Sequence, residues 1–373
     1  MTATIHDVAL RAGCSIASVS RVLNGSAAIS PALEARVREA IRELGYRPNA
    51  LGRSLKTKST RTVGVLVPSF TNPVFAASLA GVEQAARMAG YDIILAASDY
   101  DRDREPEALG ALTAREVEGL ILTVADAEHS MLLDSLDRDG PPYVLLYNEL
   151  AREGRAAVSV DNEGAVADLV GRLIDLGHER IAFVAGRFRA SDRSRLRHQG
   201  YLAAMTGAGL EPLPVAEVEF LGDEAAFDRD LAALLGRAAP PTAFACSNDL
   251  LAIAVMAALR RAGLRVPEDA SVTGFDGIAI GRQIHPSLAT VETPTHAMGR
   301  AALELLLDIR ANRAPRATRR LAHRFRPGES LAQAPAASHP AGSAPGSAAM
   351  ASRPTPDPLP SPPTPQDVTE RKT

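Results

Sequence analysis

The 373-residue sequence contains no tryptophan and only two cysteines, Cys14 and Cys246. Two thiols so far apart cannot form the disulfide framework of a small secreted domain. The first residues, Met1 to Asp7, have neither a basic segment nor an apolar one. No apolar run approaches the ~20 residues that a membrane helix needs. A cytoplasmic protein with no membrane partner is therefore expected. The motifs of common catalytic sites are missing too: no G-x-S-x-G, no G-x-x-x-x-G-K-[ST] and no H-E-x-x-H. The eight histidines (His6, His129, His178, His198, His285, His296, His323 and His339) never cluster at metal-ligand spacing. No enzyme, metal or cofactor is expected.

What is present is uneven. The formal charge of −3 argues against a nucleic-acid partner only if it is evenly spread. It is not. Residues 1–62 hold ten bases against Asp7, Glu34, Glu39 and Glu43, a local net of +6. The 42 residues from Ala332 onward balance three bases with three acids and include ten prolines and no aromatic residue. Such a segment has too little apolar surface to fold and is expected to be disordered. The middle therefore carries −9, the remainder of −3 after +6 and zero.

In the middle, short apolar runs alternate with amphipathic stretches. Strands are expected at 62–67, 92–96, 119–124, 143–147, 180–185, 242–246 and 271–275. Helices are expected at 74–89, 164–176, 195–206, 249–262 and 296–309. This alternation is the signature of βαβ units and parallel sheets covered by helices. About 270 residues is long for one open sheet, which favours two lobes with a cleft between them.

At the head, Thr4 and Asp7 have the spacing of a capping box, and Ile5, Val8, Ala9 and Ala12 form one apolar face that ends at Gly13. Ser15 can cap a second helix that buries Val19, Val22 and Leu23. Ser30 and Pro31 start a third, with Leu33, Val37, Ile41 and Leu44 as its stripe and Gly45 as its stop. Helix, glycine turn, helix is the plan of a helix-turn-helix, whose second helix presents its start to the major groove. Spacing alone also allows a small helical bundle with a solvated basic surface.

The residues themselves narrow this. Thr4-Ile5-His6-Asp7-Val8-Ala9, Ala12-Gly13-Cys14-Ser15, Ser18-Val19-Ser20-Arg21-Val22-Leu23-Asn24 and the stretch Ala40 to Asn49 resemble the DNA-binding head of the LacI/GalR family of bacterial transcriptional regulators. Gly64-Val65-Leu66-Val67-Pro68, Thr71-Asn72-Pro73-Val74-Phe75, Ser247-Asn248-Asp249-Leu250 and Gly274-Phe275-Asp276 continue the likeness, which covers roughly 3–331. It implies an α/β fold: a two-lobed, periplasmic-binding-protein-like core behind an N-terminal all-α helix-turn-helix domain. The expected divisions are a head at 1–48, a hinge helix and linker at 49–61, an effector-binding and dimerisation core at 62–331, and a tail at 332–373.

By this resemblance the DNA-binding set is Thr4, Ser15, Ile16, Ala17, Ser20, Arg21, Asn24, Asn49 and Leu55. Arg21 would take a guanine or a phosphate and Ile16 a thymine methyl, while Leu55 would wedge into the minor groove of a pseudo-palindromic operator. Gly52 departs from the alanine common in the family's hinge helix, and glycine there costs ~1 kcal/mol. Two heads on one operator imply a homodimer, with Val74–Ala89 contributing to its surface. The effector set implied is Ser69, Asn72, Phe75, Tyr147, Arg197, Asn248 and Asp276. Glu224 stands where many relatives carry an aromatic residue that stacks on the ligand, with Phe227 three residues later. The implied function is a repressor controlled by a sugar or sugar derivative. The alternatives are a nucleobase or other metabolite acting as corepressor and, at greater distance, a solute-binding protein.

Overall fold

A computed structural model describes residues 3–23, 29–46, 59–150, 154–218 and 224–335. Three helices open the chain: α1 (Ile5–Ala12), α2 (Ile16–Leu23) and α3 (Pro31–Leu44). Their boundaries follow from local chemistry. Thr4 and Asp7 form the reciprocal capping box, with Thr4 N donating to Asp7 Oδ2 at 2.8 Å. Gly13 and Gly45 end α1 and α3 in the left-handed conformation that a side chain would strain. Val8, Ala9, Ala12, Val19, Val22, Val37 and Ala40 make a core of their own.

Among the described residues from 59 onward the strands form two six-stranded sheets. The first contains β1 (Thr62–Val67), β2 (Asp92–Ala97), β3 (Gly119–Leu122), β4 (Tyr143–Leu146), β5 (Ala157–Ser159) and, from far along the chain, β11 (Thr318–Arg320). Its order is β11-β5-β4-β3-β1-β2, parallel throughout. The second contains β6 (Ile181–Gly186), β7 (Ala216–Val218), β8 (Ala243–Cys246), β9 (Ser271–Asp276), β10 (Ala289–Glu292) and β12 (Arg324–Arg326). Its order is β12-β10-β9-β8-β6-β7, and only β12 runs antiparallel. The chain crosses between the lobes three times: after Ser159, after Glu292 and after Arg320.

Helices cover both sheets. In the N-terminal lobe α4 (Pro73–Ala89) packs lengthwise on α11 (Thr295–Arg310). A methyl group added to Gly81 would overlap the backbone carbonyl of His296, and one added to Gly299 would overlap that of Ser78. The two helices meet backbone to backbone, which only glycine at both points allows. In the C-terminal lobe α7 (Asn162–Asp175) lies on α8 (Asp192–Gly207), where Gly200 meets the Glu163 carbonyl in the same way.

The solvated tail was expected to open at Ala332, but the first four of its residues are seated on the core. Ala332 N donates to Ser271 Oγ at 3.1 Å and Ala334 N to the Leu176 carbonyl at 2.8 Å. Buried His178 ties this segment down: Nε2 lies 3.1 Å from the Ala332 carbonyl oxygen and Nδ1 lies 3.0 Å from Thr242 Oγ1. Burial holds the His178 pKa below the ordinary value. Its stabilising effect is therefore complete above the unfolded value of about 6.5 and is lost as pH falls below it. Thermal melts are expected to show the parent losing its advantage over a His178→Gln variant between pH 7.5 and 5.

Candidate functional site

The carboxyl ends of β1, β2 and β4 in one lobe and of β6, β8 and β9 in the other face a shared cleft, where parallel α/β sheets hold ligands. A cavity of about 480 Å³ lies between them. Six of the seven expected effector residues line it: Asn72, Phe75 and Tyr147 on one side, and Arg197, Asn248 and Asp276 on the other. Ser69 is not among the lining residues. It is buried in the preceding turn, where its Oγ accepts from Thr71 N and Asn72 N at 3.1 and 3.3 Å.

Arg197 is the centre of the C-terminal wall. It is 7% exposed, donates from Nε to Asn162 Oδ1 at 2.8 Å and from Nη1 to the Ser247 carbonyl, and stacks on the Phe275 ring at 3.6 Å. Its Nη2 faces Asp276 Oδ1 at 3.6 Å. Burial pushes the Asp276 carboxyl up to about 6 even though Arg197 and Arg193 pull it down. Asn248 uses its Oδ1 to cap α10 (Asp249–Arg261), accepting from Leu251 N at 2.9 Å. Its neighbour Asp249 points away from the cavity and accepts from Ile278 N at 2.7 Å and Thr290 Oγ1 at 2.5 Å. Asp249 thus fixes the loop after Asp276. Burial raises its carboxyl to about 7.

The opposite wall is aromatic. Phe75 meets Tyr147 edge to face at 5.5 Å and lies 6.3 Å from Tyr100, whose hydroxyl accepts from Asn72 Nδ2 at 2.9 Å. Asp276, Tyr147 and Tyr100 all hold positive φ, at 111°, 72° and 60°. Side-chain-bearing residues rarely adopt such backbone, and where they do it is commonly at ligand sites.

Behind the cavity Glu105, 5% exposed, accepts from Ala125 N at 2.6 Å. Burial raises its carboxyl to about 7. A carboxyl whose folded pKa exceeds its unfolded one supports the fold when protonated. That support is lost as pH rises from about 4.5 towards 7. Glu105→Gln is therefore expected to be more stable than the parent at pH 8, by about 2 kcal/mol, with the two converging near pH 4.5 in melts.

Comparison with known proteins places this architecture. Residues 4–49 match the family described as bacterial regulatory proteins, lacI family, and 170–331 match a periplasmic binding protein-like domain. Catabolite control protein A of Priestia megaterium is 35% identical over 311 residues, covering 82% of this chain and 92% of that protein. The chain belongs to the LacI family. The ribose operon repressor of Escherichia coli strain K12 is 35% identical over 310 residues, again 82% of this chain and 92% of that protein. The lac repressor dimer bound to operator and an anti-inducer shares the fold, with a TM-score of 0.80 at 24% identity over 89% of this chain and all of that one. A LacI-family chain is a transcriptional regulator, not an enzyme.

In the head of this LacI-family regulator, Thr4, Ser15, Ile16, Ala17 and Arg21 are exposed and Ser20 is half-buried, while Val19 and Val22 face inward. Asn24, Asn49 and Leu55, like Gly52, lie outside the described residues. So does the Glu224 side chain; Phe227 packs against the core of the C-terminal lobe. Sequence reasoning missed Tyr100 and Arg193, both cavity-lining. Arg193 had a legible signal, since it lies one helical turn before Arg197 and so shares its face. Tyr100 had none.

Proposed function

We propose that this chain is a repressor that grips a pseudo-palindromic operator as a homodimer and lets go when a small polyhydroxylated effector, a sugar or sugar derivative, fills the cleft. The observation that carries the effector half is the cleft cavity, where buried Arg197 and Asp276 and half-buried Asn248 combine hydrogen-bond donors and acceptors opposite an aromatic wall. Hydroxyls both donate and accept, so they fit such a mixed set. The ribose operon repressor is named for control of sugar genes, which supports a sugar for its relative here. Thermal-shift screening of the purified protein against sugars and nucleobases tests the reading, because a ligand selective for the native state raises Tm. A panel in which only nucleobases act turns the reading to its alternative, and operator titration with the active ligand gives the sign of control.

The operator half rests on the exposed Ile16, Ala17 and Arg21 with half-buried Ser20 beside them, and on the basic excess of the head. Residues 1–48, 49–61 and 62–335 serve as reader, hinge and sensor. Three head arginines are already tied to acids, Arg11 to Glu43, Arg38 to Glu34 and Arg42 to Glu39. The others supply phosphate attraction. With both heads engaged, operator affinity is expected to fall about 1,000-fold between 50 and 200 mM salt, measured by fluorescence anisotropy. The acidic core repels DNA and keeps contact to the heads. The dimer face is the outer side of α4 with edge strand β2, where Met88 and Leu95 are 82% and 41% exposed. An uncovered apolar sheet edge is what a second copy would cover.

Coupling follows from two states. The operator selects one arrangement of the paired N-terminal lobes and the effector selects one closure of the cleft. Each must then weaken the other by the same factor.

A further inference from the structure

Apart from the cavity walls, the lobes are joined by a buried polar seam at the first turn of α8. Asp192, 3% exposed, belongs to the C-terminal lobe. Its Oδ2 accepts from Ala127 N at 3.1 Å and from Asn148 Nδ2 at 2.8 Å, both in the N-terminal lobe. Its own N–H donates to the Ala125 carbonyl at 2.7 Å. Arg193 Nη1 reaches the Val124 carbonyl at 2.8 Å and Asp192 Oδ1 at 3.1 Å. The receiving loop is braced from behind. Asn148, fully buried, holds Val124 through both its N–H and its carbonyl, at 3.1 and 2.9 Å, and Arg155 Nη1 donates to the Ala127 carbonyl at 2.8 Å.

We propose that Asp192 and Asn148 form an interlobe latch that keeps the cleft closed, and that Arg193 is the residue through which an occupant is sensed. Among the described residues every donor to the Asp192 carboxylate apart from Arg193 lies across the cleft, so the lobes cannot part without leaving that carboxylate to water. A buried carboxylate stripped of its donors is unfavourable until water reaches it. Opening must therefore break the whole seam together, which makes closure a two-position switch. Arg193 lines the cavity and also holds both sides of the seam. A ligand oxygen that drew its guanidinium inward would compete with Val124 and Asp192 for the same N–H groups. Arg193 and Asn148 thus act as positioning residues for closure. The sensing step rests on the cleft being the effector site; the latch does not.

Hydrogen exchange of the full chain, followed by mass spectrometry without ligand, tests it. The segments 123–130 and 189–196 contain the amides that donate across the seam and are expected to exchange slowly in the parent. Asn148→Ala should speed exchange in both segments about tenfold or more, while the strands Thr62–Val67 and Ala243–Cys246 keep their rates. Asp192→Asn preserves the shape while removing the charge; it should give a smaller rise in the same two segments, and it decides the matter if Asn148→Ala does not fold. Fast exchange of both segments already in the parent overturns the latch. Unchanged exchange in the variants overturns it as well, and so does a uniform rise through both lobes, which would mark the seam as merely structural. A ligand screen without hits would defeat the cleft reading and leave this result standing.

Discussion

Arg197→Ala is expected to abolish the response to effector while leaving the operator-reading face of the head untouched. The affinity for whichever sugar raises Tm in the parent should fall about 100-fold or more, since loss of a buried, charge-assisted donor costs roughly 3 kcal/mol. The loss extends beyond one contact. Asn162 and the Ser247 carbonyl lose their donor, and Asp276 loses the nearer of the two cations that pull its carboxyl down. The Asp276 pKa then rises further above about 6, and a neutral acid replaces the acceptor the cavity offers near pH 7. The fold itself should weaken by about 3 kcal/mol, because removing one member of a buried pair strands the other. Arg197→Lys keeps the charge but not the planar fork, so it should recover stability better than affinity. Operator titrations of the variants, with and without ligand, provide the readout. A ligand that shifts the Arg197→Ala protein as far as the parent would put the effector elsewhere.

The second large effect belongs to the seam between α4 and α11. Gly299→Val would drive a branched side chain into the Ser78 carbonyl, forcing two packed helices apart. A cost of about 4 kcal/mol is expected, lowering Tm by about 10 °C. Gly171, on α7, is the control: a methyl group there meets nothing within 4 Å and its backbone is helical. Gly171→Ala should stabilise by up to about 1 kcal/mol. Calorimetry of the two variants separates glycine needed for close approach from glycine that is only tolerated.

Much of this was legible in advance, for reasons that differ by element. The head could be read because caps and apolar spacing are local: Thr4 with Asp7, Gly13, Ser30 with Pro31, and Gly45 each act within one turn. The long central strands could be read because burial on both faces makes them largely apolar, as in Thr62–Val67 and Ala243–Cys246. The edge strands Ala216–Val218, Thr318–Arg320 and Arg324–Arg326 were not expected. They are short, and two of the three are mostly arginine; only their sheet neighbours make them strands. The site divides in the same way. Asn248 and Asp276 lie at the carboxyl ends of buried strands, in stretches that resemble the family's, and so were visible. Tyr100 enters the cavity on left-handed backbone after β2, and Asp192 gains its partners Ala127 and Asn148 only when the lobes meet. No spacing along the chain encodes either.

The three crossings between the lobes have a consequence for how such a molecule can be rearranged. Neither lobe is one stretch of sequence: the N-terminal sheet is completed by Thr318–Arg320 and the C-terminal sheet by Arg324–Arg326. One genetic crossover inside the core therefore cannot exchange an intact lobe between two relatives, and a stop codon before residue 318 would remove a strand from both sheets at once. The head, encoded ahead of both, can be exchanged whole. New operators are thus easier to acquire by recombination than new half-pockets, which must change one substitution at a time.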